Sequence, residues 1–174
     1  MPAEWPQTTK EPGLRIIDLS AGNRAVWFDK SHRDAIYVDI RAEVLPDVVA
    51  DARKLPAEIG TGYDLVVFDP PHKNNSGGNM VKNYGHWTAA EITEILTGTA
   101  REAHRIAKPD GLMALKWNDH TRKLSTTLML ISEWWEPLFG HGVTEQQRGR
   151  SSTYWVMLRR RDTSGQFALE QTNI

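Results

Sequence analysis

Tyr63-Asp64-Leu65-Val66-Val67-Phe68-Asp69-Pro70-Pro71-His72 joins a short apolar run to an acidic residue, two prolines and a histidine. Near-continuous apolar runs, rather than alternating ones, are typical of strands in a parallel sheet that is covered on both faces. Residues 63–68 are therefore predicted to form a buried strand, which ends where the prolines begin. This places Asp69 at the carboxyl end of a strand, where parallel α/β sheets gather the groups that bind ligands.

Other segments repeat this pattern and alternate with helical ones. The remaining apolar strands are predicted at Leu14–Leu19, Ala35–Ile40, Asp47–Ala50 and Leu112–Trp117. The helical patterns lie at Arg53–Ile59, Thr88–Ile106 and Thr121–Trp134. Thr88 and Glu91 have the spacing of a capping box, and Pro109-Asp110-Gly111 predicts a turn before the fifth strand. Two last strand-like pieces, Leu138–His141 and Ser152–Arg160, flank the polar residues Gly142–Ser151 and predict a hairpin at the sheet edge.

The composition is that of one ordinary globular domain. The 174 residues include 21 Lys and Arg against 22 Asp and Glu, a net charge of −1 that argues against bulk electrostatic coating of nucleic acid. The absence of cysteine excludes disulfides, thiolate metal sites and cysteine nucleophiles, and we expect no metal. We expect one domain over 13–162 between tails at 1–12 and 163–174. No run resembles a signal peptide or a membrane span, so we expect a cytoplasmic protein without a membrane partner.

Acidic residues close each of the first four predicted strands. Asp18-Leu19-Ser20-Ala21-Gly22 forms a turn of small residues, which would let a nucleotide-like ligand approach the backbone. Asp39 follows at a spacing suited to hydrogen bonds from ribose hydroxyls, and Asp51 could accept one from an adenine amino group. Each also has a simpler explanation: a tight turn, a solvated carboxylate and a helix cap, respectively. The recurrence of an Asp at all four strand ends, Asp69 included, favours a ligand site.

Asp69-Pro70-Pro71-His72 resembles the catalytic motif of methyltransferases that modify exocyclic amino nitrogens, such as adenine N6 and cytosine N4. An aniline-like amino group is a poor nucleophile, and hydrogen bonds from its N–H groups to Asp69 and the Pro70 carbonyl would direct its lone pair toward the methyl group. The resemblance gives the fourth residue the role of stacking on the flipped base. Here that residue is His72, where the family usually has Tyr, Phe or Trp. A rigid loop with a helix-capping Asp is the structural alternative.

The resemblance covers most of residues 14–160. Its segments are Ile17–Arg24, Trp27–Lys30, Val38–Arg41, Phe68–His72, Leu115–Asn118 and Pro137–His141. Together they resemble small phage- and prophage-type proteins described as class I S-adenosylmethionine (SAM)-dependent methyltransferases. The resemblance implies a Rossmann-like, seven-stranded, mostly parallel sheet with helices on both faces, and SAM as the cofactor. The cofactor-binding candidates are Asp18, Leu19, Ser20, Ala21, Gly22, Asp39, Ile40, Asp51, Ala52 and Asp69.

The polar stretch from Lys73 to Trp87 is too long for a simple connection, and we expect it to contact the substrate. The substrate-binding candidates are Lys73, Tyr84, His86, Trp87 and Lys116. Basic and aromatic side chains of this kind suit nucleic acid, although a flexible surface loop and a solvated lysine at the end of the fifth strand explain them equally well. Trp117 is expected in the core or at a pocket wall, and Trp27 over the cofactor or between the first helix and the sheet.

These features predict a SAM-dependent N-methyltransferase, with adenine N6 in DNA or RNA favoured over cytosine N4 because the motif begins with Asp. Two alternatives remain open. One is a methyltransferase for a protein amide or a small molecule, since the tetrapeptide positions any planar amino group. The other is a phage protein that binds or depletes SAM to counter restriction. A homo-oligomer is compatible with the sequence, and His141 has no role that the sequence reveals.

Overall fold

A computed structural model gives the fold and describes residues 13–71, 87–143 and 152–163. Seven strands form one sheet: β1 Ile16–Asp18, β2 Ala35–Asp39, β3 Val48–Val49, β4 Tyr63–Phe68, β5 Ala107–Asn118, β6 Trp135–Val143 and β7 Thr153–Arg160. Two α-helices are described, α1 Ala89–Ile106 and α2 Leu124–Ile131. Short 3-10 turns lie at Ala42–Val44 and Ala57–Ile59.

The strand order is β3-β2-β1-β4-β5-β7-β6. The first five strands are parallel, and β7 runs antiparallel to both β5 and β6. This confirms the predicted seven-stranded, mostly parallel sheet with an antiparallel hairpin. Because the chain builds outward from β1 to β3 and then returns to place β4 on the other side of β1, the order reverses between β1 and β4. Ligands of open α/β sheets bind at such a reversal, beside the carboxyl ends of the strands.

Side chains alternate along β5 between a buried face and a partly exposed one. Met113, Leu115 and Trp117 are fully buried and join the core beneath α1 and α2, whereas Ala114 and Lys116 between them are partly exposed. Period-two alternation of this kind assigns the two sets to opposite faces of the sheet. We call them the helix face and the open face. On the open face the described residues contribute no α-helix, so the helices that the resemblance implies for this second face are not found among them. Residues 19–34, which connect β1 to β2, form turns.

Helix α1 begins as the sequence predicts. Thr88 Oγ1 accepts a hydrogen bond from the Glu91 amide at 3.2 Å, and the Glu91 carboxylate accepts one from the Thr88 amide at 2.7 Å. Its apolar side, which includes Leu96, packs on the helix face. Gly98 lies in the middle of the helix, and a Cβ there would approach the Arg53 side chain to 3.1 Å. The glycine therefore lets Arg53 lie against the helix.

Several elements differ from the sequence prediction, and three of the differences are large. The helix expected at Arg53–Ile59 is a single 3-10 turn, since Pro56 lacks the amide that a longer helix would use. The last helix ends at Ile131 rather than Trp134, and Trp135 already belongs to β6, where its buried indole donates to the Ala100 carbonyl at 2.9 Å.

The third difference is the turn predicted at residues 109–111, which lies inside β5. The backbone approaches itself closely there: a Cβ on Gly111 would lie 2.9 Å from the Lys108 carbonyl oxygen, so a larger residue would require the backbone to shift. Residues 144–151 of the predicted hairpin loop, the tail at 1–12 and residues 164–174 lie outside the described residues. Neither of the two described helices is long and apolar enough to cross a membrane.

Candidate functional site

Three of the four predicted strand-end carboxylates come together at the reversal of the sheet. Asp18 ends β1, Asp39 ends β2, and Asp69 directly follows β4, so they lie on the three neighbouring strands β2, β1 and β4. Asp18 and Asp39 are 1% and 7% exposed. Buried carboxylates require hydrogen-bond donors, and each of these has at least two.

Asp18 is held by its own turn and by a tryptophan. Its carboxylate accepts hydrogen bonds from the Ser20 amide at 3.0 Å and from the Trp27 indole N–H at 2.7 Å. Burial raises the pKa of Asp18 from 3.8 to about 6, with a smaller contribution from the negative charges of Asp69 and Asp39, while the two hydrogen bonds act in the opposite direction. Trp27 packs edge-on against Tyr37, with ring centroids 5.2 Å apart. The indole therefore covers the end of β1 from turns rather than from a helix.

Asp39 fixes the glycine turn to the end of β2. Its carboxylate accepts from the Gly22 amide at 2.8 Å and from the Arg41 backbone N–H and Nε–H at 2.9 and 3.1 Å. Gly22 has a φ of +51°, a left-handed conformation that favours glycine. A Cβ at Gly22 would lie 3.4 Å from the Arg41 guanidinium, so Arg41 lies directly over the turn.

Asp51 repeats this arrangement two residues beyond β3. Its carboxylate accepts from the Arg53 backbone N–H at 2.9 Å and from the guanidinium at distances down to 2.7 Å. The Arg53 hydrogen bonds hold the pKa of Asp51 below its usual value. The sequence signal for both pairs is Asp-x-Arg, at Asp39-Ile40-Arg41 and Asp51-Ala52-Arg53, which our sequence analysis missed. Ile40 between the first pair is 60% exposed, whereas Ala52 packs against the core.

Asp69 is connected to both of its neighbouring strands. Its amide donates to Ser20 Oγ at 2.6 Å, which joins the tetrapeptide to the turn after β1. Its carboxylate accepts from Lys116 Nζ on β5 at 2.7 Å, with the two side chains 23% and 28% exposed. Pro70 is buried and Pro71 half-buried, which makes the backbone after Asp69 rigid. The carboxylate is therefore fixed in place but still reachable from solvent.

The other predicted site residues fall into three groups. His72, Lys73, Tyr84 and His86 lie outside the described residues. Trp87 packs against the core, and Trp117 is fully buried with its indole donating to the Arg122 carbonyl at 2.9 Å. Leu19 and Ala21 are buried beside the glycine turn. Among the described residues no group of three His, Asp or Glu side chains could hold a metal ion.

Comparison with known proteins identifies relatives in structure alone. No protein-family model and no curated protein matches the sequence. TrmN from Thermus thermophilus has 18% identity and a TM-score of 0.55 over 86% of this chain, which spans 45% of the length of TrmN. The N-methyltransferase NodS from Bradyrhizobium japonicum has 9% identity and a TM-score of 0.58 over 86% of each chain.

A TehB-like SAM-dependent methyltransferase from Corynebacterium glutamicum has 14% identity and a TM-score of 0.57 over 87% of this chain and 83% of its own. Identities this low show the fold alone. The chain has the Rossmann-like methyltransferase fold, and its three strand-end carboxylates lie at the edge where such sheets bind their ligands.

Proposed function

We propose that this protein is a SAM-dependent methyltransferase that modifies an exocyclic amino group, with adenine N6 in DNA or RNA as the acceptor. The observation that carries the proposal is the hydrogen bond between the Asp69 amide and Ser20 Oγ. It fixes Asp69, the first residue of the tetrapeptide that resembles an amino-methylating motif, directly against the small-residue turn that resembles a SAM-binding one. Methyl transfer requires the methyl donor and the acceptor nitrogen to be held next to each other.

The residues at the β1 and β2 ends fit SAM, with one rearrangement. Gly22 has no side chain to keep a ligand from the backbone of the turn, and in this proposal Asp39 accepts hydrogen bonds from the ribose hydroxyls. The exposed side chain of Ile40 follows Asp39 and would lie against the adenine ring. Arg41 now occupies part of this space, so we expect its guanidinium to leave Asp39 when SAM binds. SAM supplies a methyl group on a sulfonium, which an amino nitrogen can attack.

Asp69 and Pro70 orient the acceptor in this proposal. Because Lys116 donates to Asp69 Oδ2, we assign Asp69 Oδ1 to one N–H group of the substrate's amino group. The second N–H group of that amino group donates to the Pro70 carbonyl. These two hydrogen bonds hold the amino group so that its lone pair faces the methyl group. The nitrogen would gain a bond to the methyl carbon as the carbon–sulfur bond of SAM breaks, with S-adenosylhomocysteine as the leaving group. The proton that the nitrogen loses passes to Asp69 Oδ1 and then to solvent. Ser20 holds the backbone of Asp69 and Lys116 holds its carboxylate throughout.

The test is to incubate the protein with methyl-labelled SAM and DNA, RNA or protein, then to digest the nucleic acids for nucleoside mass spectrometry. We expect N6-methyladenine with wild type and none with Asp69→Asn, which keeps the shape of the side chain. Asp64→Asn is the matched control, because Asp64 forms the equivalent ion pair with Lys108 at the amino ends of β4 and β5. Label in no polymer, despite measurable SAM binding, would contradict the proposal.

A small-molecule amine is the second candidate acceptor. The net charge of −1 favours it, because long polyanions are usually bound by an excess of Lys and Arg. Label confined to an added small amine, and absent from DNA and RNA, would select this alternative. Breakdown of SAM without any acceptor would instead indicate the SAM-depleting function.

A further inference from the structure

A row of side chains extends from Asp69 across the antiparallel hairpin. Lys116 on β5, which pairs with Asp69, stands opposite Trp155 on β7, and Trp155 stands opposite His141 on β6. Directly opposite residues on neighbouring strands share a face, with Cβ atoms about 5 Å apart. The register therefore places the carboxylate, the lysine, the indole and the imidazole in one line, which we call the hairpin row.

The hairpin row lies on the open face. Val156 and Leu158, which alternate with Trp155 along β7, are buried in the core of the helix face. Trp155 is partly exposed and His141 is exposed, whereas the other tryptophans of the strands, Trp117 and Trp135, are fully buried. A tryptophan directed away from the core, one strand from a fixed Lys–Asp pair, offers a large flat surface to a planar ligand.

We propose that the hairpin row is the acceptor-binding surface, and that its ligand is single-stranded nucleic acid. This inference rests on the proposed function and specifies its substrate. Trp155 lies two strands from β4, which is about 10 Å at the usual spacing. It is therefore too far from Asp69 to stack on the base being methylated, and it stacks on the neighbouring base of the same strand. His141 continues the row outward and donates a ring N–H to the backbone phosphate that follows.

Stacking of Trp155 on the neighbouring base predicts that the contribution of Trp155 to binding depends on substrate size. A free nucleoside has no neighbouring base, so it gains nothing from Trp155, whereas an oligonucleotide does. Stacking depends on an aromatic face rather than on sequence, so phenylalanine should replace tryptophan and leucine should not. Phe139 is the matched control, because it is also aromatic, is 69% exposed and shares the open face, but lies opposite Met157 in the next row away from Asp69.

The experiment titrates wild type, Trp155→Phe, Trp155→Leu and Phe139→Leu with a short single-stranded oligonucleotide that carries 2-aminopurine beside an adenine. We expect Trp155→Leu to bind it about tenfold more weakly and to lose the fluorescence quenching that stacking causes, while Trp155→Phe keeps most of both. SAM affinity and the unfolding midpoint should be the same in all four proteins. Affinity for the oligonucleotide that does not change in Trp155→Leu, or that falls equally in Phe139→Leu, would overturn the inference.

The outcomes separate this inference from the proposed function. If wild type methylates the oligonucleotide and Trp155→Leu does so with the same KM, the hairpin row is not the acceptor surface, although the enzyme is a methyltransferase. If the oligonucleotide binds through Trp155 but no methyl group is transferred, the hairpin row is supported and the proposed function fails. With free adenosine as acceptor, KM should be the same for wild type and Trp155→Leu, and a tenfold rise there would also overturn the inference.

Discussion

The two halves of the carboxyl edge of the sheet are built in different ways. On the β1–β3 side, Asp18, Asp39 and Asp51 each accept a hydrogen bond from the backbone amide of the residue two positions further on. On the β4–β5 side, Asp69 is held by residues 49 and 47 positions away, Ser20 and Lys116. The first half is thus fixed by local turns, and the second only by the folded sheet. In the proposed function, the β1–β3 side would bind SAM, and the Asp69 carboxylate on the β4–β5 side would take part in the reaction.

The largest expected effect is on the second half, at Asp69. Asp69→Asn keeps the contact of the backbone amide with Ser20 but loses an anionic acceptor, so kcat should fall about a thousandfold. SAM affinity and stability should change little. Single-turnover measurements with labelled SAM check this, with Asp64→Asn as the control that keeps wild-type kcat. A kcat for Asp69→Asn within a few fold of wild type would mean that the two halves do not divide the work in this way.

The next effect is on the pH dependence of stability and belongs to the first half. The pKa of Asp18 is about 6 in the folded protein, whereas the ordinary value of 3.8 applies to the unfolded chain. The folded state therefore keeps this proton to higher pH than the unfolded chain. Burial of the carboxylate therefore costs stability as pH rises from about 4 to about 6, up to about 3 kcal/mol for a shift of this size. Asp18→Asn, which cannot ionise, should gain that much relative to wild type between pH 4 and pH 7.

Urea unfolding of both proteins across this pH range measures the difference. Asp64→Asn provides the opposite sign at lower pH, because the Lys108 hydrogen bond holds the pKa of Asp64 below its usual value of 3.8. When the titration is extended below about pH 4, this variant should lose stability relative to wild type as pH rises, and from about pH 4 to about pH 7 the two profiles should run parallel. Parallel pH profiles for wild type and Asp18→Asn would show that Asp18 does not carry the raised pKa.

A smaller effect is expected from the ion pair between Asp69 and Lys116. Lys116→Met should lower kcat about tenfold, because the carboxylate loses the charged hydrogen bond that positions it, and Lys116→Arg should recover part of the loss. Lys108→Met removes the matching pair at the opposite edge of the same two strands and should leave kcat unchanged. Equal losses in the two methionine variants would indicate a general effect on the sheet rather than on the site.

The smallest effect concerns Arg41. Its guanidinium donates to Asp39 and covers Gly22, so in the proposed function it would compete with the ribose of SAM for the same carboxylate. Removing this partly exposed pair in Arg41→Ala should tighten SAM binding about threefold. Arg105→Ala, which breaks a pair with Glu102 on α1, should leave SAM affinity unchanged. Weaker SAM binding in Arg41→Ala would mean that the guanidinium is part of the cofactor site rather than a competitor.

The contrast between local turns and long-range contacts also explains which features could be predicted from the sequence. The strands and the capping box follow from short-range patterns, and so do the carboxylates of the first half, because their partners lie two residues away. The Asp-x-Arg pairs were also readable, at Arg41 and Arg53, had the repeated spacing been considered. The contact between Lys116 and Asp69 was not readable, because it depends on which strands become neighbours.

The position of Trp155 beside Lys116 depends on the register of an antiparallel pair, which no local pattern in β7 records. The turns between β1 and β2 were equally hidden. One expectation placed Trp27 between a first helix and the sheet, yet residues 19–34 form turns. Arg24 adopts a φ of +56°, and its side chain donates to the carbonyls of Lys30 and Leu45. Such side-chain contacts stabilise successive turns in place of helical hydrogen bonds.

Calorimetric titration of SAM into wild type and Asp39→Asn tests the central claim most directly, because the proposed methyl transfer requires SAM at the carboxyl edge of the sheet. We expect saturable binding at one site in wild type and in Asp64→Asn, and binding at least tenfold weaker in Asp39→Asn. No binding by wild type, or equal binding by wild type and Asp39→Asn, would contradict it.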